Sequence, residues 1–439
     1  MATREAWEAD IAARWQVETA SGVTVYPTRA AIGAMQNLGV DMDEAMPSLD
    51  EAERAFARRD WGGLAKACAE VNAVISARLP LVRASEPETW DEYRALTPVG
   101  ASGRPKVRRG APADYGERVR GAWIGKCIGT ALGDPVEGWT AERIASRAPI
   151  SGYLVPPKVE NDDTAYPILV LHALDEHGPA FTSADLALEW VAHLPLAFTA
   201  EWSAIENVKA GLLPPESRWA RNPCGAWVGG QMRSEIHGLL APLDPERAAE
   251  FAFRDAVISH YREGMDGAIY GAVLTSLAFT GGPIERLLRE ALRFVRSGGA
   301  FVEVVEKTLH ACNRHGEWGR VLAELRPDLD RYHWIHTLPN VACAVIGLTL
   351  GEGDFERSIL TTLQCGFDTD CSAGQTAALL GCLLGAEGIP EKWKNPIGER
   401  LVTYVVGFEE VAFDRLVEWT IRWATTLAEP AGGRGRGAA

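Results

Sequence analysis

Apolar residues recur three and four positions apart through most of this chain, a spacing that predicts helices almost everywhere. AAEFAFRDAVISHY (248–261), GAIYGAVLTSLAFT (267–280) and FVEVVEKTLHACNRH (301–315) have the period and length of helices, and so does the long run 399–428. Nearer the start, SLDEAERAFARRDWGGLAKACAEVNAVISARL (48–79) repeats the pattern, with Ser48 placed to cap it. Alternating strand patterns are scarce and there is no internal repeat, so the pattern predicts an all-α fold.

The chain divides near residues 100–115. TPVGASGRPKVRRGAPADYG (97–116) mixes Gly, Pro and base and reads as a linker. The predicted organisation is a helical N-terminal extension and linker (1–110), a main helical domain (111–428) and a flexible Gly/Arg tail (429–439). Glycine and alanine recur inside the helical patterns GAWIGKCIGTALG (121–133) and SAGQTAALLGCLLGA (372–386). Glycine costs about 1 kcal/mol against alanine in a helix interior. Its repeated use there predicts helices in close approach.

Composition narrows the possible partners. Hydrophobic residues make up 47% of 439, enough for a large core, and the net charge of −15 argues against nucleic acid or an anionic membrane. No stretch is apolar enough for a membrane span, so a cytoplasmic protein is the expectation. Eight cysteines are spread thinly, none in a CxxC pair, which reads as buried free thiols.

Two acidic clusters stand at helix starts. In ENDDTAYPILVLHALDEHG (160–178), Asp162 or Asp163 can cap the helix and Pro167 is tolerated in its first turn. In GFDTDCSAGQTAALLG (366–381), Asp368 and Asp370 precede a helix over 372–385. Spacing alone reads equally well as two unrelated caps. If the clusters meet, carboxylates 4 Å apart repel by about 4 kcal/mol at an effective dielectric of 20. A helix N-terminus returns only about 0.3–1 kcal/mol. A hard divalent cation would then be needed, and oxygen donors favour Mg²⁺, Mn²⁺ or Ca²⁺. Glu137 follows the Gly-rich helix and offers a further carboxylate.

Taken together, the segments resemble the ADP-ribosylglycohydrolase family, as a divergent branch with an N-terminal extension. Gly125, Gly129, Gly133 and Glu137 fit its opening GxxxGDALG-type helix and glutamate. NDDT (161–164) matches its paired-aspartate motif, and VGGQMRSEIHGLLAPLDPE (228–246) its middle stretch, with Met232 and Arg233 in register. Ser259-His260 and the 366–381 stretch complete an ordered set. The resemblance implies a compact multi-helix bundle around a binuclear site with two Mg²⁺ or Mn²⁺ ions. One ion would take Asn161, Asp162, Asp163 and Asp370; the other would take Glu137, Asp368 and Asp370. Glu137 is the first choice for the acid/base group and Asp163 the second.

Gly229, Arg233 and His260 are carried over as substrate-binding candidates. RYHWIHTLPN (331–340) adds Trp334, which could stack a base, and Asn340. Three positions depart from the family pattern: Asn161 and Cys371 stand where it has threonine, and Thr130 where its helix has aspartate. The thiol is a poor ligand for Mg²⁺. The implied substrate is an ADP-ribosyl or related ribosyl glycoside, small or protein-linked. Hydrolysis of a free nucleoside and a non-catalytic ADP-ribose-binding role are the alternatives. The oligomeric state stays open.

Overall fold

The computed structural model describes residues 3–16, 28–102, 111–147, 150–157 and 160–428. The expected tail and residues 103–110 of the expected linker fall outside these residues, and Pro98–Ser102 of that linker is a short helix. Among the described residues, helices follow one another nearly throughout, and the only sheet is one short antiparallel hairpin. None of the described helices is long and apolar enough to cross a membrane.

At the centre lie two helices that pack antiparallel: a first core helix, Tyr115–Gly133, and a closing helix, Thr369–Leu384. Every residue from Gly121 to Gly133 and from Thr369 to Cys382 is buried, so both are wrapped by protein on all sides. Their backbones nearly touch. A methyl group at Gly129 would overlap the carbonyl of Ala373, and one at Gly133 would overlap the backbone of Asp370. The glycine spacing therefore brings the two helices into register and carries Asp370 against the end of the first. Around this pair lie the helices Asp162–His177, Arg262–Ala278 and Thr337–Gly351.

Three local expectations need correction. Ser48 does not cap: Pro47 occupies the first turn, the helix runs Met46–Ala57, and the Ser48 hydroxyl donates to Glu70 Oε2 at 3.0 Å. The 48–79 run is two helices, broken where Arg59 turns left-handed at φ 55°. Asp60 then caps Trp61–Arg83 by accepting from Gly63 N. In the 399–428 run the helix begins only at Phe413. Before it, Arg400–Val402 pairs with Glu410–Ala412, because β-branched residues lead to a left-handed Gly407 (φ 88°) that closes a turn.

The N-terminal helices are seated on the main body. Ile32, Met35, Val71, Ile75 and Leu79 share one apolar cluster with Trp219 and Tyr261. Below them Glu86 is buried against Arg296 at 2.9 Å and accepts from Arg262 N at 2.9 Å. Tyr93 donates to Asp266 at 2.8 Å. All eight cysteines are buried and unbridged.

Candidate active site

Three backbone devices bring the acidic segments together. Thr140 and Gly366 form an isolated antiparallel bridge, with Gly138 N donating to Phe367 O at 2.9 Å and Phe367 N to Trp139 O at 3.2 Å. This pins the Glu137 loop to the loop before Asp368. Phe367 pays with a left-handed backbone at φ 64°. Asn340 Oδ1 accepts from Asp368 N at 3.0 Å, while its amide donates to the carbonyls of Trp334 and His336. Thr369 Oγ1 donates to Gly133 O at 2.9 Å.

The result is a cavity of about 370 Å³ whose lining includes Glu137, Asn161, Asp162, Asp368 and Asp370. Carboxylate oxygens of Glu137, Asp368 and Asp370 lie within 4.8 Å of one another. Asp370 Oδ1 is buried with no hydrogen-bond donor. Glu137 is pushed up to about 9, first by burial and then by Asp370 and Asp162. Burial and Asp370 likewise hold Asp368 well above the carboxylate range. Burial, Asp163 and Asp370 do the same to Asp162. Oxygen donors that repel one another, one of them lacking a donor, fit a hard divalent cation held by Glu137, Asp368 and Asp370.

Around the paired aspartates the arrangement differs from expectation. Neither Asp162 nor Asp163 caps its helix. Asn161 does, its Oδ1 accepting from Asp163 N at 2.8 Å while its Nδ2 donates to Asp370 Oδ2 at 3.0 Å. The Asn161 amide oxygen, expected to ligate, is thus spent on the cap. Asp163 is fully buried and lies outside the cavity lining. Its Oδ1 sits 2.8 Å from Lys126 Nζ, and its Oδ2 accepts from the Cys371 thiol at 3.3 Å.

Arg233 and His260 do not reach the cavity either. Arg233 is fully buried and held by Glu201, by Asp255 at 2.9 Å, by Ser259 Oγ at 3.1 Å and by Gly229 O at 2.8 Å. Its guanidinium also lies over the rings of Trp190 and Tyr166. His260 accepts from Gly230 N at 3.0 Å, and burial and Arg233 hold it neutral, well below the usual histidine value. These contacts shape the Val228–Arg233 turn that presents Gly229 to the cavity. Gly229 and Trp334 do line it, whereas Asn340 stands behind it on the Asp368 loop.

Several lining residues carried no sequence signal: Phe198, Thr199, Glu201 and Tyr404. The Tyr404 hydroxyl is buried without a partner and comes from the hairpin that looked helical.

The chain is 24% identical over 302 residues to an uncharacterized protein of Archaeoglobus fulgidus, across 65% of this chain and 92% of that one. Its fold is similar to a solved structure described as an ADP-ribosylglycohydrolase-related protein complex, with a TM-score of 0.51 and 19% identity, covering 72% of this chain and 99% of that one. Residues 111–425 match the model of the ADP-ribosylglycohydrolase family. That span takes in the first core helix, both acidic clusters and the hairpin. The chain belongs to the ADP-ribosylglycohydrolase family and is a glycosidic-bond hydrolase of that type.

Proposed function

We propose that the chain is a Mg²⁺- or Mn²⁺-dependent hydrolase of an ADP-ribosyl glycosidic bond, acting in the cavity floored by Glu137, Asp368 and Asp370. The observation that carries this reading is the convergence of those three carboxylates within 4.8 Å beside a buried Asp370 oxygen that has no donor. A bound divalent ion supplies Lewis-acid polarisation and orients the ribose hydroxyls and a water.

The remaining work falls to side chains. Asp368 is oriented through the Asn340 hydrogen bond to its backbone, and Asp370 through the Asn161 amide. Glu137 faces the cavity from a loop locked at both ends, the position required of a group that takes a proton from water or gives one to the leaving group. Without an ion, burial and then Asp370 hold its pKa up at about 9, and that proton would be lost on cation binding. Asp163, held by Lys126 and Cys371 behind the wall, cannot approach a substrate atom and is withdrawn from the acid/base role. Developing positive charge at the ribosyl C1 would be met by the acidic floor. Trp334 and Phe198 offer aromatic walls for a sugar or base face.

The test is a hydrolysis screen over ADP-ribosylated amino acids, ADP-ribosylated nucleic acid and free nucleosides, with Mn²⁺ and with EDTA. Metal-dependent release of free ADP-ribose is the expected result. Turnover of nucleosides alone would replace the substrate, and no turnover with metal bound would favour a non-catalytic binder.

A further inference from the structure

The helix Tyr115–Gly133 is buried on every face from Gly121 onward, yet it carries a lysine. Lys126 retains 6% of its side-chain exposure, and its Nζ lies 2.8 Å from Asp163 Oδ1 and 3.5 Å from Glu235 Oε1. It also donates to the carbonyl of Met232. Both acids are as deeply buried as the lysine. An ammonium is left in such a place only where opposite charge surrounds it.

We propose that Lys126 stands in for a second cation: its ammonium pairs closely with Asp163, with Glu235 farther off, so the site takes a single divalent ion, between Glu137, Asp368 and Asp370. This deepens the metal-dependent reading above and rests on it. A divalent ion within ligand reach of Asp163 Oδ1 would face the ammonium across one oxygen atom, with little water between to screen the repulsion. The other Asp163 oxygen is taken by the Cys371 thiol, a donor that hard cations do not select. Asn161 turns its Nδ2, not its oxygen, toward Asp370 on that side. Asp163, Asp370 and Cys371 do converge within 4.8 Å, but of the four groups expected around the other ion Asn161 is engaged as a cap and Asp163 by Lys126 and Cys371, and Asp370 is shared with the retained ion. The remaining one, Asp162, opens to the cavity and stays within reach of the single ion or of substrate. Asp163 becomes a positioning residue. It fixes the start of the Asp162–His177 helix and the Cys371 end of the closing helix.

The count of bound Mn²⁺ tests this without reference to turnover. Equilibrium dialysis and electron paramagnetic resonance on the full chain are expected to give one Mn²⁺ per chain with the spectrum of an isolated ion. Lys126→Met keeps the length and removes the charge; it is expected to admit a second Mn²⁺ and to show an exchange-coupled spectrum. Two coupled ions in the unaltered protein would overturn the proposal, and so would a folded Lys126→Met that still binds one. If Lys126→Met does not fold, Asp163→Asn decides. The proposal expects one Mn²⁺ still to bind, with affinity lowered by no more than the roughly 10–100-fold of an outer-shell change, whereas complete loss of the bound ion marks Asp163 as a ligand and overturns it. Absence of any bound Mn²⁺ in the unaltered protein would overturn the metal-dependent function itself, an outcome distinct from a count of two.

Discussion

Arg233 and Lys126 show how differently two buried cations are used. Arg233 bridges Glu201 and Asp255 behind the cavity wall. Replacing it with methionine leaves buried Glu201 without its cation and Asp255 with His237 alone, which is expected to cost about 3–5 kcal/mol in urea unfolding. A loss confined to substrate KM, with stability unchanged, would contradict that assignment. His336 sets an acid limit. Buried, with Nδ1 accepting from Leu338 N, it is pushed down to about 3 by burial, then by His333 and Arg331. The fold holds it neutral while the unfolded chain protonates it, so the contribution of His336 to stability is intact above about pH 6.5. It falls by about 1.4 kcal/mol per pH unit as pH drops toward 3. His336→Asn keeps a capping side chain and is expected to flatten that slope in denaturation curves taken between pH 7 and 4.5. An unchanged slope would remove His336 from the account.

At the scale of elements, the approach of the two core helices is what carries Asp370 into the carboxylate cluster. Gly133→Ala is expected to force the closing helix away from Gly133 and carry Asp370 with it. The overpacking should cost about 1–3 kcal/mol and weaken Mn²⁺ binding. Gly116→Ala, on the same helix but with room for a methyl group, should leave both properties nearly unchanged. Equal effects at the two glycines would show that the close approach is unimportant. This glycine pattern was readable in the sequence, as were the helical fold and the acidic clusters, since periodicity and small-residue spacing follow directly from helix geometry. The 399–412 segment was not, because its β-branched residues also fall at helical intervals. Burial was equally invisible. Arg233 stands in a motif as a substrate-binding candidate, and nothing in the sequence beside Lys126 marks it as the partner of distant acids. A charge in a sequence does not announce whether its partner is solvent, substrate or another side chain. Asn161 reads as a ligand in the sequence because a cap and a metal donor ask for the same oxygen.

For the whole molecule, the cluster of raised carboxylates links stability, pH and metal. Glu137 has a folded pKa of about 9 against 4.5 when unperturbed. The folded state therefore binds more protons than the unfolded chain across that window, and metal-free stability falls as pH rises through it. Mn²⁺ binding requires the deprotonated form, so the gain in Tm on adding Mn²⁺ is expected to grow from pH 6 to pH 9. At a hundredfold excess over Kd the ion should contribute about 2.7 kcal/mol, and Asp368→Asn should abolish most of that. A Tm indifferent to Mn²⁺ at every pH would refute the cation site.

The seating of the N-terminal helices bears on how the molecule can be cut. Trp219 and Tyr261 stack at 4.5 Å beneath those helices, and Arg296 and Arg262 reach out to Glu86. A shortened chain beginning at residue 111 would keep every carboxylate of the metal centre. It would also expose a greasy face and leave Arg262 without Glu86, while Arg296 keeps its pair with Asp266. Such a fragment should self-associate more than the intact chain on gel filtration; equal elution behaviour would show that the covered face is not what the extension protects.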